Sequence, residues 1–269
     1  MTLRAVSFGG GMQSTGLLVL AAQGKIDYKT FIFCNVGEDS EHPDTLRYVH
    51  EIAMPYAEKH GIALIELRKH LKDGSVDTLY GRLTRPGSRS IGIPVHMASS
   101  GAPANRACTI DFKIKIVDKW LREHGAKEEK AVVAIGISLD EFQRMKPNLD
   151  PATMEWKQNA FPLIDLRMTR QDCINVIEQA GLPVPPRSAC FFCPYHSLQK
   201  WQDMRQNEPE LFQKSVDLEK LINERRAEHG LDAIRFARKL VPLEQATTDL
   251  KQASLFDEDP GCDSGYCFL

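Results

Sequence analysis

The chain has 269 residues, with 34 Lys and Arg against 36 Asp and Glu; a net charge of −2 argues against a generally basic nucleic-acid binder, and the length suits one large α/β domain or a domain with a small appendage. With 42% hydrophobic residues the composition is that of an ordinary globular protein, and no run approaches the ~18 apolar residues of a membrane span. Seven widely spaced cysteines, and an N-terminus that enters an apolar run without a signal-peptide pattern, set the expectation of a reducing, cytoplasmic location.

In chain order, residues 3–7 form an apolar run of strand length, followed by a glycine turn within Val6-Ser7-Phe8-Gly9-Gly10-Gly11-Met12-Gln13-Ser14-Thr15. Apolar spacing then predicts a helix over 14–23, a strand over 30–36, a helix over 43–60 with Pro43 in its first turn, and a strand over 62–67. Runs buried on both faces and separated by helices predict an α/β fold, a parallel twisted sheet with flanking helices. Ligands of such sheets lie beyond the carboxyl ends of the strands, where the glycine turn falls. Three glycines allow a sharp turn and a close approach, and the next helix offers free N–H groups and its positive dipole end, so the expected ligand is phosphate. The alternative is a strand-to-helix turn with no ligand.

Two familiar phosphate loops are excluded, because no Gly-Lys-Ser/Thr is present and Ser14 stands at the last glycine of G-x-G-x-x-G. The stretch resembles instead the PP-loop, S-G-G-x-D-S-S/T, of the ATP pyrophosphatases and sulfonucleotide (PAPS/APS) reductases, the adenine nucleotide alpha hydrolase-like group. Gly10 to Thr15 covers the pattern after its first position; Gly9 replaces the usual serine and Gln13 the frequent aspartate. The resemblance implies nucleotide binding at Ser7, Gly9, Gly10, Gly11, Gln13, Ser14 and Thr15.

After the second strand, Cys34-Asn35-Val36-Gly37-Glu38-Asp39-Ser40-Glu41-His42-Pro43-Asp44-Thr45 resembles the D-T-G and H/F-P-E-T segment of PAPS-reductase-like proteins. Gly37, Pro43 and Thr45 match, with Asn35 for aspartate and Asp44 for glutamate. By that resemblance Asn35 and Gly37 contact the adenosine. Cys34, inside an apolar run, reads as a buried small hydrophobe. Glu41 and His42 read either as ligands or as the cap of the next helix.

The pattern is lost over 71–107 among Gly, Pro, Ser and Arg, which predicts a mobile substrate-facing loop. Arg82, Arg85, Arg89 and Arg106 cluster there, as Arg225, Arg226, Arg235 and Arg238 do later; solvated faces are the simpler reading of both. Asn105-Arg106-Ala107-Cys108-Thr109-Ile110-Asp111-Phe112-Lys113-Ile114 then opens a helix to about residue 123. It resembles the R-x-C-T-x-x-Y/F-K-I segment of PAPS-reductase-like proteins from phages and DNA-modification systems. Assimilatory APS reductases carry paired cysteines at this point, and Ala107 replaces one of them, so Cys108 alone carries over.

A strand over 131–137 leads into Gly136-Ile137-Ser138-Leu139-Asp140-Glu141-Phe142-Gln143-Arg144, similar to the family's G-I-x-x-D-E-x-x-R. The resemblance places Gly136 and Glu141 at the nucleotide, Glu141 holding Mg2+ on the pyrophosphate and Arg144 offsetting charge on the α-phosphate. Without it the pair reads as a surface Glu and Arg on a capped helix. A fifth strand is expected over 161–166, and a helix over 169–180 that buries Cys173 beside Val176, Ile177 and Ala180, before a proline-rich break at 182–186.

Arg187-Ser188-Ala189-Cys190-Phe191-Phe192-Cys193-Pro194-Tyr195-His196 contains C-x-x-C, a turn that brings two sulfurs to one side. With the lone Cys108 upstream it resembles the ligand layout of iron–sulfur PP-loop enzymes. The resemblance implies a 4Fe-4S iron–sulfur cluster on Cys108, Cys190 and Cys193, with Cys262 or Cys267 as fourth ligand or that position open to an exogenous sulfur. A structural zinc on Cys108, Cys190, Cys193 and His196, or no metal, are the alternatives. Residues 197–228 read as two charged amphipathic helices. Sulfonucleotide reductases end in E-C-G-I/L-H; Cys267 lies comparably near the terminus with different neighbours, which suits a sulfur-handling thiol better than reductase chemistry. The expected organisation is a nucleotide-binding α/β domain over 1–180 and a cysteine-containing helical region with its tail over 181–269.

These segments imply an ATP pyrophosphatase and sulfurtransferase that adenylylates a substrate for displacement of AMP by sulfur. The nearest resemblance is to the ATP pyrophosphatases of DNA phosphorothioation. Catalytic candidates are Cys267, Lys113 and Arg144. The implied partners are ATP, a sulfur donor such as a cysteine desulfurase, DNA or tRNA, and a second copy of the chain, with no membrane. Alternatives are a sulfonucleotide reductase, in which no ATP is split, and a non-catalytic nucleotide- or metal-sensing module, which Gly9 and Gln13 permit.

Overall fold

A computed structural model describes residues 2–88, 91–126, 129–145 and 151–248; Arg89, Cys262 and Cys267 lie outside the described residues. Chain order begins with β1 (Arg4–Phe8), α1 (Met12–Ala22) and β2 (Thr30–Asn35), then a helical run of α2 (Pro43–Tyr48), a π turn (Val49–Ala53) and α3 (Met54–Lys59), then β3 (Ala63–Arg68). Next come α4 (Leu79–Thr84), β4 (His96–Met97), and a second run of α5 (Ala107–Thr109), a π turn (Ile110–Ile114) and α6 (Lys115–Glu123). They are followed by β5 (Ala131–Ile135), a 3-10 helix (Leu139–Arg144), α7 (Pro151–Trp156), β6 (Lys157–Ala160), α8 (Pro162–Asp165) and α9 (Arg170–Gln179). The last elements are α10 (Leu198–Asn207), α11 (Pro209–Ala227), β7 (Ile234–Arg235) and α12 (Leu243–Ala246).

The fold is α/β. Five parallel strands form one sheet in the order β3-β2-β1-β5-β6, while β4 and β7 pair antiparallel beside it. Strand alternation divides the core. Val6, Phe8, Phe31 and Phe33 face α1, α2, α3 and α9, whereas Ala5, Ile32, Cys34 and Val133 face Val117 and Leu121 of α6. Phe8 meets Phe31 and Phe33 edge-on, with centroids 6.2 and 6.5 Å apart. Every residue of α1 from Gln13 to Ala21 is buried, so this helix is held by packing on all sides. Burial of each large aliphatic or aromatic side chain here contributes roughly 1.5–3 kcal/mol.

A third core joins Trp201, Met204, Phe212 and Phe236 to Leu79, Leu83, Ile93 and Val95. The stretch expected as a mobile substrate-facing loop over 71–107 contains α4 and β4, and its Leu79, Leu83, Ile93 and Val95 are packed in this core. Its apolar residues lack a period because they meet partners far away in sequence. The buried Glu219 carboxylate pins this core by accepting the Phe236 and Leu243 N–H groups at 2.7 and 2.9 Å. The expected strand over 161–166 is corrected: Pro162 opens the short helix α8, a position proline favours, and the fifth strand is the edge strand β6. Lys157-Gln158-Asn159-Ala160 carries no apolar run because it closes the sheet on one side only. Among the described residues no helix is long and apolar enough to cross a membrane.

Candidate functional site

In the order β3-β2-β1-β5-β6 the winding direction reverses between β1 and β5, which opens a crevice beyond their carboxyl ends. Two glycine loops frame it. Gly10 has φ +78°, and a Cβ there would lie 3.1 Å from Val49 Cγ2 and 3.2 Å from Thr45 Cγ2. A Cβ on Gly136 would lie 3.2 Å from both Gln13 C and Ser14 N, so its glycine lets the end of β5 rest against the start of α1. That helix starts at Met12, two residues earlier than expected, with Thr15 N–H donating to Gly11 O at 2.9 Å. Ser14 Oγ accepts from Gly11 N–H at 3.1 Å and donates to Gly11 O at 3.0 Å, which fixes the turn. The first-turn amides of α1 have no intrahelical acceptor, and a helix end of this kind suits an anion.

Gln13 bridges the crevice, its Nε2 donating to Ser138 Oγ at 3.0 Å and to Glu141 Oε2 at 2.5 Å. Its Oε1 is buried without a hydrogen-bond partner, as is Ser7 Oγ at the end of β1, a rare condition for buried polar atoms. Arg144, 5% exposed, pairs with Glu141 Oε2 at 3.0 Å, and Arg170 Nη1 lies 3.8 Å from Glu141 Oε1. The Glu141 and Arg144 pair thus lies in the crevice rather than on a solvated surface. Ser138 and Arg170 are the participants that motif reading missed.

At the neighbouring edge, Asn35 Oδ1 accepts from Gly37 N–H at 2.9 Å and Asn35 Nδ2 donates to Glu66 Oε1 at 3.0 Å. Gly37 has φ +130°, and a Cβ there would fall within 2.9 Å of Asp39 Oδ1, Thr78 Cβ and Ser40 Oγ. The loop it starts is stitched to the C-x-x-C turn, with Glu41 bridging Cys190, Phe191 N–H donating to Ser40 O at 3.1 Å and His42 N–H donating to Ala189 O at 3.0 Å. Cys193 N–H closes that turn on Cys190 O at 3.0 Å. Cys108 at the start of α5 completes a group of three thiols lining one cavity, with Lys113, Arg106 and apolar walls that include Ile93 and Phe192.

Among the described residues no three His, Cys, Asp or Glu side chains are gathered to hold a single metal ion as they stand. The donor set nonetheless fits a multi-iron cluster: soft thiols, apolar walls and two nearby cations suit an anionic iron–sulfur group. His196 lies outside the lining, with its Nε2 3.0 Å from Cys190 O, so it supports the turn instead of facing the thiols.

Charges nearby are set by burial. Burial pushes the Glu41 carboxyl up, with Lys113 Nζ at 3.9 Å only partly opposing. Cys34 and Cys173 are both pushed up to about 12 by burial, so they are protonated core thiols, in keeping with their apolar surroundings in the sequence. His42 is the cap of α2, accepting from Asp44 N–H at 3.3 Å and pairing with Glu208 at 2.7 Å. The arginine clusters are structural in part. Arg82 and Arg85 converge on buried Asp77 at 2.8 and 3.2 Å, and Arg225 donates to Leu83 O and Thr84 O at 2.7 and 2.8 Å, closing the end of α4.

No protein-family model matches the chain, and no curated protein matches its sequence.

Proposed function

We propose that the chain is a PP-loop enzyme of the PAPS-reductase-like group that uses ATP to adenylylate a substrate for sulfur incorporation, with a nucleic acid such as DNA as acceptor. The observation that carries this reading is the placement of a phosphate-type crevice and a three-thiol cavity on one edge of one parallel sheet, joined by the loop that begins at Gly37. ATP phosphates lie on Gly9, Gly10, Gly11 and the first amides of α1, with Ser7, Gln13, Ser14 and Thr15 beside them and Gly136 allowing the close approach. Asn35 and Gly37 shape the adenosine side. A substrate oxygen attacks the α-phosphate, a new oxygen–phosphorus bond forms, and pyrophosphate leaves with the electrons of the broken bond. Arg144 offsets the charge that develops, and Glu141 would hold a Mg2+, which would supply positive charge to the leaving pyrophosphate. The terminal sulfur of a persulfide carried by Cys267 then attacks the activated centre, AMP leaves with the electrons of the broken oxygen bond, and a thiol reductant cleaves the remaining S–S bond to free the thio product and Cys267.

Cys108, Cys190 and Cys193 would hold a 4Fe-4S iron–sulfur cluster, which supplies a soft site for sulfur when bound. Lys113, on the wall of that cavity, places positive charge beside the thiolates. Cys267 is the proposed sulfur carrier, Cys262 a candidate fourth ligand, and a cysteine desulfurase the proposed donor, all in the cytoplasm.

The test uses the full chain purified without oxygen: iron, zinc and acid-labile sulfide are measured, and ATP conversion to AMP and pyrophosphate is followed with DNA and a sulfur donor present. Iron and sulfide near about four per chain, together with pyrophosphate release, support the reading. Zinc without sulfide removes the cluster. Sulfite release from a sulfonucleotide with a thiol reductant makes the chain a reductase, and nucleotide retention without turnover makes it a sensing module.

A further inference from the structure

Arg170 enters the crevice through the packing of two helices. Gly16, one turn into α1, meets Cys173, one turn into α9, with a Cβ on Gly16 falling 3.1 Å from Cys173 Cβ; the starts of the two helices therefore lie side by side. The 3-10 turn after β5 fixes the same end of α9, since Leu139 N–H donates to Met168 O at 2.7 Å and Arg170 N–H to Asp140 Oδ1 at 3.1 Å.

The Arg170 side chain is poorly satisfied there. Its Nη2 is buried with no hydrogen-bond partner, and Nη1 stands 3.8 Å from Glu141 Oε1, an ion-pair distance beyond hydrogen-bond reach. Glu141 meanwhile takes Arg144 at 3.0 Å and the Gln13 amide at 2.5 Å on its other oxygen. Asp140, the second acid of this turn, is engaged by the Arg170 backbone. One carboxylate thus stands where two guanidinium groups, a side-chain amide and the start of α1 converge. The Arg170 fork offers more donors than its single 3.8 Å approach to Glu141 uses, whereas a phosphate chain has the oxygens and the charge to meet it.

We propose that Arg170 is a second guanidinium of the phosphate site and that the Glu141 carboxylate is the group an incoming phosphate displaces from it. The ligand class is the polyphosphate part of a nucleotide, and the inference rests on the nucleotide reading above. Released from the arginines, Glu141 is available to the divalent cation that such a phosphate carries.

Calorimetric titration of the full chain with ATP and with inorganic pyrophosphate, in the presence of a chelator, tests it alongside thermal melting. Wild type should bind both. R170Q should weaken pyrophosphate by about 10-fold or more, the scale of a charge-assisted hydrogen bond, and R170K should recover part of the loss. E141Q should melt lower than wild type without ligand, because two arginines lose their carboxylate, yet gain more Tm from pyrophosphate than wild type does. Equal pyrophosphate affinity in wild type and R170Q overturns the assignment of Arg170 while leaving the nucleotide reading intact. A Tm gain in E141Q no larger than that of wild type overturns the displacement. Wild type that binds neither ATP nor pyrophosphate removes the nucleotide reading itself and this inference with it.

Discussion

The crevice and the thiol cavity share a sheet edge but are built in opposite ways. The crevice uses the ends of two adjacent strands, β1 and β5, and its polar groups are charged or amide side chains held by one another: Gln13, Glu141, Arg144 and Arg170. The cavity gathers Cys108 from one helix start and Cys190 and Cys193 from a turn far along the chain, within apolar walls. A sheet fixes the first directly. The second depends on the stitching of the loop after β2 to residues 189–191. Lesions should therefore separate the two, and Cys190→Ala should do so most completely, abolishing iron and acid-labile sulfide while ATP titration stays as in wild type. Full metal content in that variant would remove Cys190 from the ligand set.

Gly37 is where the two regions are joined, so Gly37→Ala should damage both. Its φ of +130° and the crowding by Asp39, Thr78 and Ser40 leave no relaxed position for a methyl group. Strain of this kind costs about 1–3 kcal/mol, visible as a lower Tm, and metal content and nucleotide affinity should fall together. Loss of one function alone would show that the loop does not couple them. A smaller and more selective effect is expected of Ser14→Ala, which removes the hydroxyl that ties Gly11 into the turn. One hydrogen bond contributes about 1 kcal/mol, so nucleotide affinity should drop roughly fivefold with iron unchanged.

The same contrast governs what could be read from residue order. The crevice was legible where it is local: strand, glycine turn and helix follow one another in sequence, and Gly136 to Arg144 extend directly from β5. Arg170 was not, because its role comes from the docking of α9 on α1, and α9 by itself reads as a capped amphipathic helix. The packing of Leu79, Leu83, Ile93 and Val95 was hidden for a related reason, since their partners lie on α10, α11 and β7. C-x-x-C spacing marked Cys190 and Cys193, but their meeting with Cys108 is a tertiary fact. Glu41, with its neighbour His42, read as ligand or cap; the two separate in space, with Glu41 buried beside Lys113 and His42 capping α2.

His42 gives the smallest expected effect and probes the seam between the two regions through pH. Its Nδ1 accepts the Asp44 N–H, so the capping form is the neutral ring with its proton on Nε2, facing Glu208. Burial lowers its pKa from the ordinary 6.5, Glu208 and Asp44 oppose this, and Lys200 adds to it. A histidine with a depressed folded-state pKa binds more protons when unfolded, so its contribution to stability is present above pH 6.5 and is lost as pH falls below that value. Protonation of Nδ1 also removes the acceptor, so the loss should be on the order of 1 kcal/mol, the worth of a helix cap. His42→Asn keeps a capping oxygen that does not titrate. Melting of wild type and this variant at about pH 7.5 and about pH 5.5 should show wild type losing more stability on acidification. Equal losses in both would mean that folding leaves the His42 pKa where it is in the unfolded chain, and that the seam is held by the backbone bonds of residues 40–42 to 189–191 without help from the imidazole.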